Sequence, residues 1–201
     1  MMPDLEPGLI VELLRQSMEN GRSPFLNVIS DSMSPLIRSG DQVQLAPITH
    51  NSLQPGDVIV FSEIGELITH RFWGIIATES NEQLITKGDR PQHFDQSYDT
   101  DTLVGLVIGR KRDRRLLKLS KGVGRWLNVQ LTRLAALDIR LFSKAVQGST
   151  GADAGPYSRE GVFARTTRDN FGHLMVRRFI YMLAKMVSFV VQLFDESIKD
   201  T

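Results

Sequence analysis

The chain has 201 residues, 41% hydrophobic and 23% charged, which suffices for one or two domains with a proper core. It has no cysteine, which excludes a disulfide framework, a thiolate metal site and a cysteine nucleophile. The net charge of +1 hides a split: residues 1–101 carry 15 acidic and 6 basic side chains, net −9, and residues 102–201 carry 8 and 18, net +10.

Such an asymmetry calls for an anionic neighbour of the second half: the first half itself, nucleic acid or a membrane surface. In chain order, residues 1–24 form an N-terminal helical segment. Its helix is predicted from Pro7 to Met18, with Leu9, Ile10, Leu13 and Leu14 on one face and "ENGRSP" as the stop. This opening is acidic where a secretory signal is basic, and no run of about 18 apolar residues occurs. A cytoplasmic location is therefore expected, peripheral at the membrane if the chain meets one.

Residues 25–119 read as short β runs, "FLNVI", "QVQLA", "DVIVF", "ELITHRFWGII", "QLITKG", "LVGLVIG" and "RLLKL". Turn signals such as "RSGD", "LQPGD" and "KGDRPQ" separate them, which predicts an antiparallel, mostly β domain. A basic amphipathic helix follows over 120–146, its apolar stripe starting at Trp126, Leu127 and Leu131. The Gly/Ser-rich stretch 147–172 reads as a linker. A C-terminal amphipathic helix over 173–201 leaves a narrow polar stripe and a broad apolar face, suited to core packing, another subunit or the edge of a bilayer. The expected class is α+β: a mostly antiparallel β core, a short N-terminal helix and amphipathic C-terminal helices.

Two stretches carry chemistry. "VISDSMSPLIRSGDQV" sets Ser30, Ser32 and Ser34 within five residues, and "ELITHRFWGI" sets His70 in an apolar strand. Serine is a nucleophile only beside a base, and an imidazole with a pKa near 6.5 suits that task. A carboxylate must then hold the imidazole tautomer, and Asp89 and Asp95 are the candidates. Lys87 is the other possible base. Asp41 and Asp57 follow turn glycines and are read as turn-shaping. The four histidines show neither HxxxH nor HExxH spacing, so no metal and no cofactor is expected.

Four ordered blocks, "SDSMSPLIRSGD", "PGDVIVF", "ITHRFWGI" and "TKGDRPQHFD", resemble the catalytic domain of type I signal peptidases. They also resemble the related self-cleaving repressor-type proteases. "THRFWGI" matches the branch with a histidine base, as in the archaeal and endoplasmic-reticulum enzymes. The resemblance covers Phe25 to Gly109, about two-fifths of the chain. It implies Ser32 as nucleophile, His70 as general base and Asp95 as the group orienting it. Ser30, together with the backbone N–H of Ser32, matches the oxyanion hole. Asp89 matches the Gly-Asp loop, as orienting group or electrostatic support, and Met33 and Pro35 shape the turn presenting Ser32. The implied activity is a serine endopeptidase that cleaves a leader or precursor peptide, bound extended along a strand edge with small residues before the cut.

The chain departs from the pattern in two places. The two dozen residues before the serine block carry no apolar run expected of a membrane anchor and are too few to be expected to form a helix-turn-helix DNA-binding domain. The rival reading is a catalytically inactive protease-fold binding module, its basic C-terminal helices holding a partner protein or membrane surface. Nucleic-acid binding through "RKRDRR" at 110–115 is disfavoured, because no base-reading motif accompanies it.

Overall fold

The computed structural model describes residues 7–78, 81–91 and 93–147, and near the C-terminus Met182, Leu183, Lys185, Met186 and Phe189. Of the expected linker over 147–172, Gln147 instead ends the helix Gly122–Gln147 and the rest lies outside the described residues, as does most of the expected helix over 173–201. The five described residues of that last stretch are helical, with Met182, Met186 and Phe189 exposed. The chain divides into two compact units, residues 1–128 and 129–201.

The first unit is α+β. Helix α1 (Pro7–Glu19) precedes eight strands: β1 (Phe25–Asn27), β2 (Gln42–Ala46), β3 (Val58–Glu63), β4 (Glu66–Ala77), β5 (Glu82–Lys87), β6 (Tyr98–Asp99), β7 (Leu103–Arg112) and β8 (Arg115–Lys118). Every pairing is antiparallel, in the order β1-β2-β7-β3-β4-β5-β6, with β8 also on β7. Helix α2 (Gly122–Gln147) begins in the first unit and continues in the second.

The centre of the sheet is apolar on both faces. Val58, Ile59, Val60 and Phe61 in β3 are all buried, the pattern of a strand covered on each side. One cluster joins Leu53, Ile59, Phe61, Phe72, Leu84 and Leu103. β4 is long enough to change neighbours: residues 66–71 pair with β3 and 71–77 with β5. His70 sits beside that changeover, where a bulge at Trp73 interrupts the register and bends the strand.

The predicted face of α1 is corrected. Leu14 and Met18, one turn apart, are the buried residues, whereas Leu9 and Leu13 are about half exposed. Sequence periodicity marks a stripe, and the groove over β7 decides its edge: Met18 lies against Gly105, where a Cβ would meet its sulfur at 3.2 Å. Arg15 fastens the same helix by donating to the carbonyls of Asp101 and Leu103 at 2.6 and 2.9 Å. In α2, Leu127 and Leu131 are buried as expected, but Trp126 of the predicted stripe is half exposed, as is Leu137 further along the helix.

Candidate active site

The serine turn is a loop closed at its neck. Val28 N–H donates to Asp41 O at 2.8 Å and Gly40 N–H to Val28 O at 2.9 Å. Inside the neck, Asp31 accepts from the backbone of Ser39 and Ser34, and Ile37 N–H closes a helical turn onto Met33 O. Met33, Leu36 and Ile37 are fully buried and anchor the turn in the core. Ser32, immediately before the Met33 anchor, is left half-buried at the surface, while Ser30 is exposed and Ser34 is buried. Pro35 is buried and its bond to Ser34 is cis. Ser30 Oγ and Ser32 Oγ lie 3.3 Å apart, within hydrogen-bond distance.

His70 shares a sheet face with Phe72, two residues along β4, and with Ile59, its partner across β3. Thr86 of β5 stands opposite Phe72, so it belongs to this face as well. Asp95, beyond the end of β5, folds back onto Thr86: its N–H donates to Thr86 O at 3.0 Å. Its carboxylate oxygen Oδ2 accepts from His70 Nδ1 at 2.6 Å and from the Thr86 hydroxyl at 2.7 Å. The two side chains are only 12% and 15% exposed, and the edge of the imidazole meets the Phe61 ring at 6.3 Å. A carboxylate accepts and does not donate, so the neutral imidazole carries its proton on Nδ1 and leaves Nε2 as a lone-pair base.

The loop leaving β5 ties the two stretches together. Arg90 N–H donates to Ser32 O at 2.8 Å, and Gly88 packs so closely that an added Cβ would lie 2.9 Å from the same carbonyl and 2.7 Å from Pro91. A side chain at 88 would push the serine turn off this loop. The loop thus grips Ser32 through its main chain and, a few residues on, supplies Asp95 to His70. Among the described residues no hydrogen bond joins Ser32 to His70 directly: Ser32 Oγ pairs with Ser30, and His70 with Asp95.

Asp89 of the same loop stands apart from the histidine. It receives Arg71 Nε and Nη2 in a two-pronged pair, both bonds 2.8 Å. Arg71 follows His70 and therefore points to the opposite sheet face, where it is fully buried and also donates to Gly56 O at 2.7 Å and Asn128 Oδ1 at 2.8 Å. Lys87, across β5 from Arg71, shares that face; its buried ammonium donates to Gly88 O at 3.2 Å. Of the two possible bases, the imidazole lies on the Thr86 face with Asp95 as its carboxylate partner, and Lys87 lies on the other face.

Asp41 and Asp57 do shape turns, and each also does more. Asp41, itself buried, accepts from Arg38 N–H at 2.9 Å and forms a two-pronged pair with the part-exposed Arg112 at 2.6 and 2.7 Å. Asp57 accepts from Gln54 N–H at 2.8 Å, and burial raises its carboxyl above 3.8 against the lowering effects of that bond and of Arg71. The basic run 110–115 is not a free patch: Arg110 is buried with Nη1 toward Leu36 O, and Arg112 is spent on Asp41. Among the described residues no group of three or more His, Asp or Glu is set to hold a metal, and no helix is long and apolar enough to cross a membrane.

The sequence reading missed Arg71, Thr86 and Asn128 as parts of this region. An arginine inside an apolar strand was a visible signal, because a buried guanidinium needs a carboxylate. Thr86 and Asn128 carry no such mark; the fold alone brings them in. Compared with known proteins, the chain matches no family model and no curated sequence.

Proposed function

We propose that the chain is a serine endopeptidase of the signal-peptidase-like type, with Ser32, His70 and Asp95 as its catalytic group. The supporting observation is the loop after β5, which holds Asp95 on His70 Nδ1 at 2.6 Å and holds the carbonyl of Ser32 with the N–H of Arg90. Nε2 of His70 takes the hydroxyl proton as Ser32 Oγ attacks the peptide carbonyl. The resulting oxyanion is met by the Ser32 N–H and the Ser30 hydroxyl. Collapse of the tetrahedral intermediate breaks the C–N bond, and the imidazolium gives its proton to the departing amine. Water, deprotonated by the same histidine, then hydrolyses the acyl-enzyme ester and restores Ser32. The substrate is a leader or precursor peptide in extended form, met in the cytoplasm or at its membrane face, where the C-terminal helices supply the contact.

The test is covalent labelling of the full chain with a fluorophosphonate probe, alongside cleavage of leader peptides with small residues before the scissile bond. Labelling that maps to Ser32 and vanishes in Ser32→Ala supports the reading. Labelling that persists in Ser32→Ala rejects Ser32 as nucleophile. An unlabelled but folded wild-type chain leaves the protease-fold binding module instead.

A further inference from the structure

We infer that Thr86 is a positioning residue for the candidate site, setting the tautomer of His70 through Asp95. Its relevance to catalysis rests on the endopeptidase reading; the positional claim does not. Asp95 belongs to no strand or helix, so nothing regular fixes its carboxylate. One hydrogen bond to an imidazole leaves such a side chain free to turn about its last torsion. Thr86 removes that freedom twice over. Its carbonyl accepts the Asp95 N–H at 3.0 Å, which places the backbone, and its hydroxyl donates to Oδ2 at 2.7 Å, which places the carboxylate.

The geometry singles out Oδ2, because this one oxygen receives both the Thr86 hydroxyl and His70 Nδ1. Thr86 itself is fully buried at the end of the rigid β5 ladder, opposite Phe72. A buried hydroxyl is costly unless it is bonded, and here it is bonded to a group that otherwise has few donors. With Oδ2 held in line with Nδ1, the acceptor stays within hydrogen-bond reach of the ring, and the Nδ1–H form is favoured with Nε2 available. Valine at 86 keeps the shape of the side chain and deletes only the donor, while serine keeps the donor and deletes a methyl group.

The experiment uses the full chain labelled with ¹⁵N-histidine and reads the ring nitrogens of His70, assigned with His70→Gln, well above the imidazole pKa. The wild type is expected in the Nδ1–H form. Thr86→Val is expected to lower the Nδ1–H to Nε2–H ratio by about tenfold, the scale of one hydrogen bond to a charged group, and Thr86→Ser to restore it. An unchanged ratio in folded Thr86→Val, or a Thr86→Ser protein that behaves like valine, overturns the inference. Should Thr86→Val not fold, Thr86→Ser against Thr86→Ala decides it, since only the first keeps the donor. The ratio is read without any turnover. A shifted ratio in a chain that no probe labels would retain the positioning and reject the endopeptidase, and an unshifted ratio in a labelled chain would do the reverse.

Discussion

Arg71 and Asp89 face one another through two 2.8 Å hydrogen bonds, with the arginine side chain fully buried and the carboxylate 8% exposed. This pair sits behind the candidate site, on the opposite face of β4 from His70, and it anchors the loop that carries Arg90 and Asp95. The loop's placement therefore depends on charges that never touch His70. Removing one member of a buried pair leaves the other without compensation. Arg71→Met is expected to cost about 3–5 kcal/mol in urea unfolding of the folded chain. A loss below about 1 kcal/mol would show that the pair is not a structural strut.

A second, part-buried pair, Asp41 with Arg112, closes the neck of the serine loop onto β7. Asp41→Ala removes both this pair and the acceptor for Arg38 N–H. A loss of about 1–3 kcal/mol is expected by chemical denaturation, with Arg112→Met showing a comparable loss. If the two changes prove additive in the double variant, the two side chains do not act as a unit.

Asp57 gives a pH prediction. Its folded-state carboxyl titrates above 3.8, chiefly because burial disfavours the charged form. The folded state thus binds its proton more tightly than the unfolded state, so this group's contribution is complete below 3.8 and is lost as pH rises through the folded value. An asparagine side chain at this position would still accept from Gln54 N–H without a charge to bury. Stability curves of wild type and Asp57→Asn against pH should therefore diverge upward from 3.8, the variant gaining relative to wild type. A constant difference across that window would show that the carboxyl titrates alike in both states.

Tyr98 packs against Phe61 with centroids 4.5 Å apart and the rings tilted by 38°, and donates its hydroxyl to Glu63 at 2.9 Å, while Gln96 donates to the other oxygen of Glu63. Burial, and then the neighbouring Glu63, push its phenol well above the ordinary value of 10. Tyr98→Phe is expected to leave the ultraviolet titration near pH 10 unchanged and to cost about 1–3 kcal/mol through the lost bond to a charged acceptor. A smaller titration amplitude near pH 10 in the variant would mean that Tyr98 ionises there.

The oxyanion assignment can be tested through Ser30. If its hydroxyl joins the backbone of Ser32 around a developing oxyanion, Ser30→Ala should slow probe acylation by about 10²–10³ without changing the fold. A rate within threefold of wild type would remove Ser30 from the site. The 3.3 Å contact to Ser32 would then be a surface hydrogen bond.

What could be read from the amino-acid order alone was local. The short β runs such as "DVIVF" and "ELITHRFWGII", separated by Gly, Pro and Asp turn signals, sufficed for an antiparallel β domain between Phe25 and Lys118, because strand composition and turn chemistry act over a few residues. The serine block and the histidine were visible for the same reason, as unusual residues in their own neighbourhoods. Which groups meet was decided by the tertiary structure. The register of β4 against β5 placed Thr86 on the His70 face and sent Arg71 and Lys87 to the other. The return of the chain at Asp95 then selected one aspartate for the imidazole and left Asp89 to the arginine. Likewise the groove over β7 exposed Leu9 and Leu13, and the paired Asp41 and Arg112 broke up a basic run that looked free. A side chain's partners depend on contacts between residues far apart in the chain, and neither periodicity nor composition encodes those distances.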